Sequence, residues 1–196
     1  WLGDAVNRTL YEACVEKYYN GFDQIGPDLQ PWFSNTHPLK NAPAKNGENL
    51  LTDVLGGTGL NNALLLLNET KNENGKIVPM GLGTVDLIVP AKHRQLSLQL
   101  ADNNDYLPGS SNFDRNKFSI NPIILPLLGN TDHARKDTQW YIRDSMYAEN
   151  RIYIREGPIF ETIRDPITDS VIVKARIAFS IVVVDWRGVI GSGGGN

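Results

Sequence analysis

Between residues 4 and 19 apolar side chains recur at three- and four-residue steps: Ala5, Val6, Leu10, Ala13, Cys14 and Tyr18, with Leu2 just ahead. That spacing predicts a helix with one apolar face, Asp4 as its N-cap and Asn20-Gly21 as its stop. A second stripe, Leu60, Ala63, Leu64 and Leu67, predicts a helix over about 58–71, ended by Asn74-Gly75. Leu65 and Leu66 widen that stripe towards burial on two sides. Residues 84–89 read as a strand closed by Pro90. Over 91–101 the pattern divides, because Leu96, Leu98 and Leu100 alternate while Leu96, Leu100 and Ala101 share a helical face. Pro90 at a first turn favours the helix.

The stretch "INPIILPLL" at 120–128 predicts a strand confined to a sheet edge, since Pro122 and Pro126 cannot donate to a ladder. Short strands are expected over 140–143, 151–156 and 159–163. The longest is expected over 171–184, where Val171, Val173, Ala175, Ile177 and Phe179 alternate with more polar neighbours beyond the turn "DPITD". After Trp186-Arg187-Gly188 the ending "GSGGGN" reads as flexible. Residues 21–50 and the polar loop 102–117 keep no period, and such long irregular connections are usually functional or anchored elsewhere. Helices and a mixed, mainly antiparallel sheet make an α+β protein, in which the first helix and the last strands form one lobe around a middle lobe.

Size and charge narrow the function classes. The 196 residues are 41% hydrophobic, enough for a core in one domain or two small lobes. Nineteen Lys and Arg against 22 Asp and Glu give a net charge of −3, a mildly acidic, soluble chain without the basic excess that neutralises phosphates. One cysteine, Cys14, excludes an internal disulfide and a cysteine metal cluster and reads as a buried thiol. No run approaches the roughly 18 apolar residues of a membrane span, and no signal peptide is evident. The triplets Asn7-Arg8-Thr9 and Asn68-Glu69-Thr70 match glycosylation sequons but fall in predicted helices. The start at Trp1, with no initiator Met, leads us to expect the C-terminal part of a larger subunit.

The strongest hint of chemistry is "QPWFSNTHPLK" at 30–40, which sets Ser34 three residues before His37. Nucleophilic catalysis needs a base oriented by a third group and an oxyanion turn. Neither is evident, and the other histidines, His93 and His133, lie in charged runs. "DNND" at 102–105 fails as a calcium loop, because Leu107 and Phe113 stand where the pattern needs Gly and Glu. Gly81-Leu82-Gly83 precedes a strand instead of following one, and "GSGGG" lacks the Lys and helix of a phosphate loop. The patches Lys92-His93-Arg94 and Arg135-Lys136 are short and interrupted by acids. No catalytic, cofactor or metal residue is assigned.

The order of landmarks resembles the C-terminal part of tailed-bacteriophage major capsid proteins of the Mu-like prophage major head type. It is carried by "GFDQIGPDLQPWFSNTHPL" at 21–39, "NGENLL" at 46–51, the Leu-rich helix, and "NENGKIVPMGLGTVDLIVPAK" at 72–92. "TQWYIRDS" at 138–145, "IREGPIF" at 154–160 and "DPITDSVIVKARIAFSIVVVDWRGVIGSGG" at 165–194 complete it. The resemblance implies the Hong Kong-type capsid fold. Residues 1–48 would be the end of the spine helix and a linker of the peripheral domain, 49–148 the axial domain, and 149–196 the peripheral-domain strands and a flexible tail. Nothing here matches that fold's N-terminal arm or extended loop, so this chain alone is expected to assemble poorly.

On that reading the chain is a major head protein that self-assembles in the bacterial host cytoplasm into the icosahedral shell of a virion. Its partners would be other copies, then portal, scaffold or decoration proteins, with packaged DNA nearby but not gripped by a mildly acidic surface. Trp32, Phe33 and His37 would anchor the linker, with Ser34 and His37 satisfying local backbone groups. The alternatives are a nanocompartment shell enclosing a cargo enzyme, a soluble hydrolase using Ser34 and His37, and a carbohydrate-binding or tail-decoration module using Trp140, Tyr141 and Trp186.

Overall fold

The structure is a computed structural model that describes residues 2–101, 119–129, 135, 137–164, 167 and 170–194. In chain order it contains α1 (Leu2–Asn20), β1 (His37–Pro38), β2 (Asn46–Gly47), β3 (Leu50–Leu51), α2 (Gly57–Asn68), β4 (Val85–Val89), α3 (Arg94–Ala101), β5 (Ile120–Ile124), β6 (Trp140–Asp144), β7 (Asn150–Arg164), β8 (Val171–Val183) and β9 (Val189–Ser192). This is a mixed α+β protein.

Its centre is a five-stranded sheet in the order β3-β9-β6-β4-β5. The outer pairs β3–β9 and β4–β5 are parallel and the inner pairs antiparallel, so the sheet is mixed. Every residue of β4 is buried, as a strand covered on both faces must be. Val85, Leu87 and Val89 of β4, with Trp140 and Ile142 of β6, face Leu60, Ala63, Leu64 and Leu67 of α2 and Leu100 of α3. Ile88, Tyr141 and Val189 take the other face, against Val15 and Tyr18 of α1 and the linker residues Trp32 and Phe33. Burial pushes the Tyr141 phenol well above its ordinary pKa.

Several expectations change at their ends. Asp4 is not an N-cap. The helix starts at Leu2, which places Asp4 within the first turn, where its charge meets the positive helix end. The deepest residue of α1 is Val15, outside the predicted stripe. The second helix stops at Asn68. Asn74-Gly75 instead belongs to a turn in which Gly75 N–H donates to the Asn72 carbonyl, beside the bridge between Lys71 and Ile77. Leu65 is 53% exposed, so α2 buries one side and not two.

Residues 91–101 form one 3₁₀ turn, Ala91–His93, running into α3. The strand containing Pro122 is an edge strand, but Pro126 opens a 3₁₀ turn and ends it early. The two short strands expected over 151–163 are one strand of 15 residues, β7, whose pairing with β8 shifts on both sides of Glu156. The largest correction is at the end. Val189–Ser192, expected to lead into a flexible tail, is a fully buried strand between β3 and β6. The sheet therefore takes strands from both sides of the boundary drawn at residue 148. The loop 102–117 and most of the turn "DPITD" lie outside the described residues.

Candidate functional site

Two regions merit examination, a buried polar clasp and an exposed ribbon. The clasp forms around the Ser34/His37 segment. Leu29 takes a positive φ of 64° and the chain turns back so that Ile25 bridges to Pro31. Trp32 and Phe33 then enter the core, their rings stacked 4.6 Å apart, with Phe33 5.3 Å from Tyr141. His37 follows on β1, which pairs with β2.

His37 is 1% exposed. Its Nδ1 lies 2.5 Å from Asp28 Oδ2, and its Nε2 is 3.2 Å from the Trp32 carbonyl and 3.1 Å from Asn49 Oδ1. An orienting acid therefore exists, which the sequence reading missed. It stands nine residues upstream, outside any local motif. Ser34 Oγ is elsewhere, 3.0 Å from Thr36 Oγ1 and accepting the Thr36 N–H. Both ring nitrogens of His37 face other oxygens, so the structure does not join Ser34 and His37 into a nucleophile–base pair.

Asn49 is the hub of the clasp, and no sequence signal singled it out. Its Nδ2 donates to the carbonyls of Trp32, Trp186 and Val189, while its Oδ1 accepts the Ser34 N–H. One side chain thus ties the linker to the final strand. Trp186 stacks on His37 at 4.5 Å with planes 2° apart, and Gly47 lies under the indole, where a Cβ would clash. The Arg187 guanidinium also lies over the indole, 4.5 Å from the ring centroid. It donates to the Lys71 carbonyl and pairs with Glu73 and Asp185. The Lys40 N–H and the Arg187 guanidinium hold the Glu73 carboxyl below its ordinary pKa.

The remaining candidates fall apart. His93 Nε2 lies 2.8 Å from the Asp137 carbonyl oxygen, well away from the clasp. Trp140 and Tyr141 are core residues at 1% and 0% exposure, so neither offers a ring to a sugar. Cys14 is half-buried, with its thiol pKa raised by burial. His133, Lys136 and residues 102–105 lie outside the described residues. Among the described residues no group of three or more His, Cys, Asp or Glu is arranged to hold a metal, and no helix is long and apolar enough to cross a membrane.

The ribbon is the other region. β7 and β8 pair only with each other and project from the body as an antiparallel hairpin of 15 and 13 residues. Many of its apolar side chains are exposed, and they lie on both faces. Ile154 (58%), Phe160 (52%) and Val173 belong to one face, Tyr153, Ile163 (50%) and Ile172 to the other. Helix α1 covers part of the first face, near Phe179 and Ile181. An isolated two-stranded ribbon is marginal in water, and a contiguous exposed apolar surface marks an interaction site. No family model, curated protein or solved structure matches this chain.

Proposed function

We propose that this chain is a structural shell subunit, of major capsid type, that self-assembles into the icosahedral head enclosing the genome of a tailed phage or prophage. The supporting observation is the ribbon, two paired strands of 15 and 13 residues, many of whose apolar side chains a lone subunit leaves exposed. Burying apolar surface is the main favourable term in association. A subunit that surrounds itself with copies would cover such an element on several sides.

The landmark order described above supplies the class. In that reading the chain adopts the Hong Kong-type fold, with α1 and the ribbon as peripheral elements and the five-stranded sheet with α2 and α3 as the axial ones. Its role is mechanical, it needs no cofactor, and its place is the virion. The clasp would then hold the linker between the two groups of elements.

Electron micrographs and light scattering of the protein expressed from its full gene are the test. Closed particles of megadalton mass are expected. A monomer under every assembly condition would overturn the proposal. Robust turnover of ester or peptide probes, abolished by both Ser34→Ala and His37→Ala, would replace it with the hydrolase reading.

A further inference from the structure

A neutral imidazole has one ring nitrogen that donates a proton and one that accepts. His37 meets only acceptors. Its Nδ1 lies 2.5 Å from Asp28 Oδ2, and its Nε2 lies 3.2 Å from the Trp32 carbonyl oxygen and 3.1 Å from Asn49 Oδ1. Turning the ring over does not help, because carbons would then stand at both contacts.

The Asn49 amide cannot turn over to supply a donor either. Its oxygen would then face the Trp32, Trp186 and Val189 carbonyls, and its nitrogen the Ser34 N–H, so every present hydrogen bond would become a repulsion. These partners fix the amide with its oxygen towards His37. The ring is 1% exposed, so bulk water offers it no donor.

We infer that the fold holds His37 as a doubly protonated imidazolium paired with the Asp28 carboxylate, and that losing the second proton unlocks the linker from the final strand. Asp28 Oδ1 accepts the Gln30 N–H, as an ionised carboxylate does. Imidazole is ordinarily the stronger base of the two, so the proton they share sits on the ring. Trp186 stacks on it with planes 2° apart, and an aromatic face favours a cation.

The other charged groups around the clasp are answered elsewhere or turned away. The Glu48 side chain is exposed, between the buried residues Gly47 and Asn49. Arg187, at the indole, is paired with Glu73 and Asp185, and Lys71 Nζ reaches the Asn46 carbonyl. Asp28 is thus the one described charged side chain bonded to the ring.

Loss of the proton to solvent leaves a lone pair against an oxygen at whichever nitrogen gave it up. A bare Nδ1 repels Asp28 and loosens the turn that Gly26 and Gln30 close. A bare Nε2 repels the Asn49 oxygen, and Asn49 carries the ties to the Trp186 and Val189 carbonyls. Either way the linker separates from the last strand. A fold that binds a proton the unfolded chain has released loses stability as pH rises. The contribution of the pair is therefore complete in mild acid and is lost on the alkaline side. This device is independent of the shell reading.

The test is a long-range proton–nitrogen NMR spectrum of the labelled full chain at about pH 7.5, where an ordinary exposed histidine is mostly neutral. His37 is expected to show protons on both ring nitrogens and the near-equal nitrogen shifts of an imidazolium. The Ser34 and Gly191 amides bond to Asn49 and report on the lock. Their exchange protection, corrected for intrinsic rate, is expected to fall about tenfold between about pH 6 and pH 9, while the β4 amides keep theirs. His37→Gln, uncharged at every pH, is expected to remove that dependence. If this variant does not fold, the spectrum of the native chain decides alone. One ring proton on His37, with the other nitrogen bare, would overturn the proposal. Protection that stays flat across the range would overturn the switch even with both ring protons present.

Discussion

The five-stranded body and the β7–β8 ribbon have similar apolar content and opposite environments. In β4 and β6, Leu87, Ile88, Trp140, Tyr141 and Ile142 are all 2% exposed or less, because helices or the linker cover both sheet faces. In the ribbon, Ile152, Ile154, Ile163 and Ile172 are each about half exposed. The body completes its own core within one chain. The ribbon has the composition of a core strand without the layers, so its stabilising contacts are expected from outside the subunit. Effects of mutation should divide accordingly, body residues acting on unfolding and ribbon residues on association.

The sharpest break of this comparison is Trp140→Ala. The indole is buried between the sheet and α2, and its Nε1 donates to the Asp53 carbonyl. Truncation is expected to cost about 3–5 kcal/mol in urea unfolding, enough to deplete soluble protein. Next is Asn49→Ala in the clasp. It leaves the Trp32 and Val189 carbonyls and the Ser34 N–H without their buried partner, and each such group costs roughly 1–3 kcal/mol. A loss of about 3 kcal/mol is expected, and an unchanged urea midpoint would show that water replaces the amide.

Trp186→Ala should cost less than Trp140→Ala, about 1–2 kcal/mol, because the ring is only half-buried and acts by stacking on His37 and beneath Arg187. A cost equal to that of Trp140 would mean that the clasp belongs to the core. Phe160→Ser on the ribbon is expected to change monomer unfolding by no more than about 0.5 kcal/mol while reducing particle yield in light scattering. A large loss of monomer stability would erase the distinction between the regions.

The smallest effect concerns pH. A carboxyl whose folded pKa is lowered contributes stability above its unfolded value and loses it as pH falls through the folded one. Glu73 is such a group. Its side chain is 46% exposed, so solvent screening keeps the contribution to about 0.5 kcal/mol or less. Glu73→Gln should flatten the acid limb of the stability curve below the ordinary carboxylate range and do nothing above pH 7 to its slope.

The clasp shows why part of the site escaped sequence reading. Trp32, Phe33 and His37 were visible as an anchor because aromatic residues in an irregular segment have few other ways to be satisfied. Asp28 and Asn49 were not, since an Asp in a turn and an Asn before two leucines resemble any loop residue. Their roles depend on partners up to 140 residues away. The ending misled for a related reason. Val189-Ile190-Gly191-Ser192 is too short and too rich in glycine to announce a strand, yet Gly191 is required there because a Cβ would overlap the Phe33 ring.

The sequence by itself determined the elements whose periodicity is long enough to be read locally. These are α1, α2 with its Leu60-Ala63-Leu64-Leu67 face, β4, and the alternation of β8. Tertiary structure alone decided that β9 lies between β3 and β6, that Asn49 joins the linker to the last strand, and that both ring nitrogens of His37 face oxygens. Periodicity records only which side of an element is apolar. Which surface covers that side, or leaves it bare, is settled by contacts between residues far apart in the chain.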